Sequence, residues 1–298
     1  MTLLLIDASS LIYRAWFALP DAMRGPTGEP VNAVHGFVDM LARLIAARRP
    51  NGLVCCFDDD WRPEWRVAIL PEYKAARVAA EGEEIAGPED QIPVVRDVMR
   101  AAGIACAGAA GYEAEDAIGT LVARAGPGPI RIVSGDRDLF QLVRDPDVAV
   151  LYPRRGVSDL DEVDEAWIEA KYGIPGRAYL DFAVLRGDPS DGLPGVRGIG
   201  EKSAAALIRE HGSLDAVVAA ASAPGVPAKG PIAKVAAQLD YVARAVRVAR
   251  IASDAPIGRV PVALPPAAPA RFVDAAEAAG VGGPARRLAA ALASRTSA

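Results

Sequence analysis

Short, unbroken apolar runs closed by acids punctuate the first half of the chain. Residues 2–6 (TLLLI) run into Asp7, residues 53–57 (LVCCF) into Asp58, and residues 130–134 (IRIVS) into GDRD; residues 148–151 (VAVL) form a fourth run. Runs that are apolar at consecutive positions and bounded by polar turns suit strands of a parallel sheet covered on both faces. Between them, Val34, Phe37, Val38, Leu41, Leu44 and Ile45 recur at helical spacing, as do Ile92, Val95, Val98 and Met99. This alternation predicts a doubly wound α/β domain over residues 1–174. Sites in such sheets form beyond the carboxyl ends of the strands, and three of five acidic segments fall there.

The stretch from Trp61 to Ile92 follows neither pattern, mixing charges before the polar sequence AAEGEEIAGPEDQ. It exceeds an ordinary connection in a compact domain and reads as a functional flap or a partly disordered segment. After residue 174 the strand signals stop, and Ala-rich helical patterns occupy 177–186, 200–211, 214–221 and 231–250, with Ser213 as an N-cap. A Pro-rich segment at 260–269 precedes a last helical stretch at 270–294. Three units are expected: 1–174, 175–260 and a closing segment, 261–298.

A chain of 298 residues with 51% hydrophobic content can bury a full core. Its first residues lack a basic lead-in and read as a strand rather than a signal peptide, and no apolar stretch approaches bilayer length. Three cysteines (Cys55, Cys56 and Cys106) without CxxC spacing and two histidines (His35 and His211) argue against a zinc site or a disulfide framework, which fits a reducing cytoplasm. The net charge of −5 at first speaks against nucleic acid. If about nine of the 38 acids serve one metal site, however, the remaining surface is mildly basic and bound cations reverse the local field.

The chemistry lies in five further segments. GYEAEDAIGTL (111–121) puts Glu113 and Asp116 on one helical face with Glu115 about a third of a turn away; acids there also simply complement a helix dipole. SGDRDLFQLV (134–143) sets Asp136 and Asp138 after a strand and at a helix start, where Asp is also a common cap. LRGDPSDGLPG (185–195) holds Asp188 and Asp191 three apart in a turn, where acids are ordinary. Brought together with Asp7 and Asp58, these nine acids could not all ionise without bound cations. Hard, oxygen-ligated ions are the natural occupants, and two of them can activate water and stabilise a leaving oxygen.

PEYKAAR (71–77) places Lys74 and Arg77 on one helical face, either to hold a scissile phosphate or as a solvated surface. Trp61 and Trp65 suit base stacking or core packing, of which core packing is the commoner use. LPGVRGIGEKSAAALIREHG (193–212) lacks the preceding strand of a dinucleotide site and reads instead as a helix-hairpin-helix. There Gly195, Gly198 and Gly200 let backbone N–H groups approach a DNA phosphate, with Lys202 beside a helix N-terminus.

In order along the chain, LLLIDASSLIYRAWFALP, VNAVHGF, FDDD, PEYKAAR, GYEAEDAIGTL, SGDRDLFQLV and LRGDPSDGLPGVRGIGEKSAAALI resemble the 5′-nuclease family of flap endonucleases and the N-terminal nuclease domains of bacterial repair DNA polymerases. The resemblance covers residues 1–215 and is compatible with the helices of 231–290. It implies a PIN-like, doubly wound, mainly parallel sheet with a helical arch at about 61–92 and a helix-two-turn-helix module. Asp7, Asp58, Glu113, Glu115, Asp116, Asp136, Asp138, Asp188 and Asp191 fall on the family's metal-binding acids, with Asp59 or Asp60 able to assist Asp58. Glu115 stands where bacterial members often carry Asp, which shifts the metal geometry there. Lys74 and Arg77 fall on the arch's basic residues and Arg14 on a basic position after the first strand; with Asp7 and Asp136, the arch pair is expected to be catalytic.

The implied cofactors are two or more Mg2+ or Mn2+ ions, with K+ held by hairpin carbonyls. The implied activity is cleavage of DNA at 5′ flaps, overhangs or free 5′ ends in replication and repair. The chain is expected to act as a stand-alone, monomeric, cytoplasmic and nucleoid-associated nuclease beside polymerase and ligase. Its rivals are an endoribonuclease on the same sheet and a non-catalytic DNA-binding scaffold.

Overall fold

The computed structural model describes residues 2–78 and 87–295; residues 79–86 of the expected arch lie outside the described residues. The first unit runs β1 (Leu3–Asp7), α1 (Ala8–Ala18), α2 (Asn32–Arg48), β2 (Gly52–Cys56), α3 (Glu64–Ile69), α4 (Ile92–Ala101), β3 (Ala105–Ala107), α5 (Ala114–Arg124), β4 (Ile130–Val133), β5 (Val148–Pro153), β6 (Leu160–Val163) and α6 (Glu165–Tyr172). The helical part follows as α7 (Tyr179–Arg186), α8 (Glu201–His211), α9 (Leu214–Ser222), α10 (Pro231–Ala236), α11 (Leu239–Ala249), α12 (Phe272–Ala278) and α13 (Gly282–Ser294).

The strands form one sheet in the order β3-β2-β1-β4-β5-β6, parallel except for β6, which runs antiparallel to β5. The chain winds outward from β1 through β2 to β3 and then returns to lay β4 on the other side of β1. That reversal opens a crevice at the carboxyl ends of β1 and β4.

The consecutive apolar residues of each strand divide between two buried layers. Leu4 and Ile6 of β1 and Leu53 and Cys55 of β2 pack with α1, α2 and α4. Leu5, Val54, Cys56 and Ile132 pack with α5 and the later helices. Alternation of side chains along a strand makes an unbroken apolar run the signature of a sheet buried on both faces.

The closing segment completes the first layer. Val262 O accepts from Leu53 N at 2.8 Å, and Leu264 N donates to Asn51 O at 3.1 Å. Phe272, Val281, Leu288 and Leu292 are fully buried in the layer that holds α2, and Arg287 Nε donates to Asp39 Oδ1 of α2 at 2.6 Å. Among the described residues no helix is long and apolar enough to cross a membrane.

Four expectations change. β3 and β6 are short sheet-edge strands whose pairing, rather than any apolar run, selects them. The 231–250 helix is two helices separated at Gln238, whose backbone leaves the helical region (φ −137°). The turn after β4 is a 3-10 helix, Asp138–Leu142. Finally, Lys74 and Arg77 do not share an α-helical face. Residues 71–74 form a turn, Lys74 has a left-handed backbone (φ 49°), and only Ala75–Arg77 is helical, as a single 3-10 turn. Its N–H donates to Asp191 O at 2.9 Å, so tertiary pairing with the 188–191 turn overrides local helix preference.

Truncating Leu288, which is fully buried on α13 in the layer that holds α2, removes packing that neighbours cannot refill. Leu288→Ala is expected to cost about 2–5 kcal/mol in urea denaturation.

Candidate functional site: a buried carboxylate centre

The acids that close the strands stand together because parallel strands end on the same edge. Asp7, the last residue of β1, caps α1 by accepting from Ser10 N at 3.0 Å, and its other oxygen accepts from Ser134 Oγ, beyond β4, at 2.5 Å. Ser134 Oγ in turn accepts from Asp136 N at 2.8 Å, and Asp136 Oδ1 from Asp138 N at 2.9 Å. Beyond β2, Asp58 Oδ1 accepts from Ala114 N at 2.7 Å, fastening the strand end to the start of α5. Of its neighbours, Asp59 pairs with Arg96, and Asp60 accepts from Arg62 N, so only Asp58 of the three acids belongs to the centre.

The acids disturb one another's ionisation. Burial, with the charges of Asp58 and Asp136, pushes the Asp7 carboxyl up to about 7. Burial raises Asp58 as well, against the hydrogen bond from Ala114. Burial holds Asp138 well above the carboxylate range, with Asp136, Asp191 and Asp188 adding repulsion. Asp191 is pushed up to about 6 by burial, Asp136 and Glu113, with Lys74 and Arg77 opposing. The charges of Glu113 and Asp188 also reach this group, the first acting on Asp58 and Asp191 and the second on Asp138.

Asp116 is held deeper, behind these acids. It is fully buried, and its carboxylate accepts from Arg66 Nη2 at 2.7 Å, Ala252 N at 2.9 Å and Glu113 N at 3.1 Å. Both oxygens are therefore committed to protein donors, and Asp116 anchors its neighbours instead of presenting a free ligand.

The centre's main counter-ion was not legible in the sequence. Arg66, on α3, is fully buried. Its guanidinium pairs with Glu113, with Asp116 at 2.7 Å and with Glu115 at 3.1 Å, while Nε donates to Val248 O at 3.1 Å. It lies over Trp65, 4.7 Å from the ring centroid, so this tryptophan covers an ion-pair cluster. A lone arginine in WRPEWR carries no periodic signal that distinguishes it from a surface residue.

Lys74 and Arg77 reach the same acids. The Lys74 ammonium pairs with Glu113 and lies 4.0 Å from Asp191 Oδ2. Burial opposes its charge, but Glu113, Asp191 and Glu115 outweigh that and keep it protonated. Arg77 Nη2 holds Asp191 Oδ1 at 2.5 Å and Ser190 O at 3.0 Å. Tyr73 Oη donates to Glu113 Oε2 at 2.6 Å.

Asp188 caps its turn by accepting from Ser190 N at 3.0 Å, with Arg186 at 3.7 Å. Half-buried Arg14 lies beside Gly135 and donates to Pro153 O at 3.4 Å. Trp61 is exposed.

The hairpin adjoins the acids along the chain. Gly195 needs its left-handed backbone (φ 72°), because an added Cβ would meet Arg186 O at 2.4 Å. Its N–H donates to Tyr241 Oη at 2.8 Å, so Gly195 shapes the turn and its N–H is not free for a phosphate. The N–H groups of Gly198 and Gly200 have no acceptor among the described residues, and Lys202 is exposed on the first turn of α8. The carbonyls of Arg197 and Gly198 accept from Gln238 and Lys234.

Among the described residues no three such side chains stand together in an arrangement ready to hold an ion. Lys74 bridges Glu113 and Asp191, and Arg77 takes the latter's other oxygen. The donor set is all oxygen and self-repelling, which suits hard divalent ions once the Lys74 ammonium leaves Glu113.

Removing Arg66 strands three acids in the interior. Arg66→Met is expected to cost about 3–5 kcal/mol in urea denaturation. Asp7 and Asp191 hold protons more tightly folded than unfolded, so between the ordinary value of 3.8 and about 7 the native state binds more protons and stability falls as pH rises. In a chelating buffer the melting temperature is expected to be lower near about pH 8 than near about pH 5, and Asp7→Asn should narrow the difference.

Residues 2–173 match the family model for the 5′-3′ exonuclease N-terminal resolvase-like domain, and residues 174–271 that for the 5′-3′ exonuclease C-terminal SAM fold. The chain is 48% identical over 298 residues to a 5′-3′ exonuclease of Streptomyces coelicolor, covering 96% of this chain and 98% of that one. It is 45% identical over 220 residues to DNA polymerase I of Mycobacterium tuberculosis, covering 73% of this chain but 24% of the polymerase. In fold it is similar to the T5 D15 protein co-crystallised with metal ions (TM-score 0.67, 18% identity, 99% of this chain and 100% of that one). It is also similar to flap endonuclease-1 from Methanococcus jannaschii (TM-score 0.60, 14% identity, 99% and 93%). With both halves of its length matched and a relative of nearly equal extent, the chain belongs to the 5′-3′ exonuclease family.

Proposed function

We propose that this nuclease is structure-selective, cutting DNA phosphodiesters at 5′ flaps and free 5′ ends with two divalent ions held by its carboxylate centre. One observation carries the reading: a single turn, residues 187–195, joins Asp188 and Asp191 to the glycine hairpin, while Lys74 and Arg77 both meet Asp191. A phosphate-cutting centre and a phosphate-gripping hairpin are thereby built on one continuous piece of chain. A T5 relative of this fold is described as a complex with DNA and metal ions, and the core of Rad2 as bound to DNA substrate; both support DNA as the substrate.

Asp7, Asp58, Glu113, Glu115, Asp136, Asp138, Asp188 and Asp191 would hold Mg2+ or Mn2+, with Asp116 and Arg66 fixing α5 behind them. When bound, the ions would supply an activated water and a charge partner for the leaving oxygen. Lys74 and Arg77 then release Glu113 and Asp191 and turn to the non-bridging oxygens of the scissile phosphate, where their charge offsets the developing negative charge. The N–H groups of Gly198 and Gly200, with Lys202, hold a duplex phosphate without reading base sequence, and Arg14 would contact the strand near Gly135. A potassium ion on hairpin carbonyls belongs to the same proposal, with those of Arg197 and Gly198 already engaged. So does action in the cytoplasm as a monomer beside polymerase and ligase.

Asp136→Ala and Lys74→Ala are each expected to lower turnover on a 5′-flap DNA by about 10²–10³-fold. Flap binding, read by gel shift, should persist in both. Unchanged turnover would remove these residues from the centre. A matched RNA stem-loop, assayed with magnesium, manganese or chelator, completes the test: preference for the RNA would replace the DNA reading with an endoribonuclease, and full activity in chelator would end the metal reading.

A further inference from the structure

The turn of residues 187–195 is one attachment of the hairpin: Asp188 and Leu193 exchange backbone hydrogen bonds at 2.9 Å, and Val196 N donates to Leu185 O at 3.0 Å. It contains three glycines with left-handed backbones, Gly187 (φ 84°), Gly192 (φ 71°) and Gly195 (φ 72°), positions whose conformational freedom is large. A second attachment comes from the segment containing α10 and α11. Tyr241 Oη accepts from Gly195 N at 2.8 Å. Gln238 accepts from Arg197 N at 2.8 Å and donates back to Arg197 O at 3.4 Å. Lys234 Nζ donates to Gly198 O at 2.8 Å. Three side chains, spaced four and three apart, thus hold three backbone positions of one short hairpin.

The other end of α11 is tied to the carboxylate centre. Arg66 Nε donates to Val248 O at 3.1 Å while its guanidinium pairs with Glu113, Glu115 and Asp116. Gln141, three residues past Asp138, donates to Ala249 O and accepts from Ile251 N, both at 3.0 Å. Asp116 accepts from Ala252 N at 2.9 Å. Between Tyr241 and Val248 the helix advances about 10 Å, with Val242, Ala245 and Val248 buried in the core. A close-packed helix pinned at both ends transmits position with little give.

We propose that α11 is a strut setting the distance from the duplex-gripping hairpin to the carboxylate centre, so that Gln238 and Tyr241 are positioning residues that determine which phosphodiester is cut. The inference rests on the nuclease reading above. Contacts to phosphates carry no sequence register; the cut site on a gripped duplex is then defined by distance alone, and a rigid spacer defines it sharply.

The test uses the full chain, a 5′-labelled flap duplex and magnesium, with Tyr241→Phe and Gln238→Ala prepared singly. Both variants are expected to spread cleavage from the principal position onto neighbouring phosphodiesters, and to raise KM for the flap duplex several-fold more than they lower kcat. Loss of stability alone would reduce the amount of product without moving it. Tyr241→Phe removes one oxygen, so it decides the matter even if Gln238→Ala fails to fold. A single sharp product at the wild-type position from a cleaving Tyr241→Phe variant overturns the strut alone, whereas a wild-type chain that leaves the duplex intact overturns the nuclease reading and the strut with it.

Discussion

Like charges buried within reach of one another are the constraint on which the rest of this structure depends. Asp7, Asp138 and Asp191 titrate far above an ordinary carboxylate because burial and repulsion both disfavour their ionised forms. The fold answers with buried cations. Arg66 spreads one planar guanidinium over three acids of α5, a task suited to its fork of fixed donors. Lys74 meets Glu113 and Asp191 with a compact ammonium on a flexible stem. Both cations are buried: Arg66 is sealed under Trp65 and Tyr73, and Lys74 keeps only a small exposed fraction.

That electrostatic arrangement is available only where the sheet reverses direction. β1 and β4 lie side by side and end together, so Asp7 and Ser134 meet although they are far apart in the chain. Asp58 arrives from β2 on the same edge and is fastened to α5 by Ala114 N, which brings Glu113 and Glu115 to the centre. The helical part closes it from the far side. Asp188 and Asp191 sit there in a turn held against residues 72–74, whose carbonyl at Glu72 approaches Gly192 too closely for any side chain at that position. Cleft, cations and hairpin are consequently parts of one packed body.

Several features of this arrangement were legible in residues. Apolar runs identified β1, β2, β4 and β5, and the first three of these, closed by acid, placed Asp7, Asp58 and Asp136 at or just beyond their ends, because a doubly covered parallel strand leaves an unmistakable local pattern. Gly195 and Gly198, with φ values only glycine adopts readily, likewise marked the hairpin. The edge strands β3 and β6 left no such trace, since a strand of three or four residues is chosen by its partner. Lys74 and Arg77 were recognisable as the cations of the centre, yet their helical spacing misled, because the pairing of Lys74 N with Asp191 O imposes a left-handed turn there.

The sequence by itself determined the sheet, the order of the acidic segments and the family to which they point, since each of these is written in local pattern and local backbone need. Only the tertiary structure decided that Arg66 is the centre's buried counter-ion, that Asp116 serves as an anchor with both oxygens engaged, and that α11 joins the hairpin to the acids. Those roles depend on Arg66 meeting Val248, Asp116 meeting Ala252 and Tyr241 meeting Gly195. Contacts between residues so distant along the chain have no periodicity to reveal them, and burial, which turns an ordinary arginine into the keystone of a charge cluster, is a property of the folded body alone.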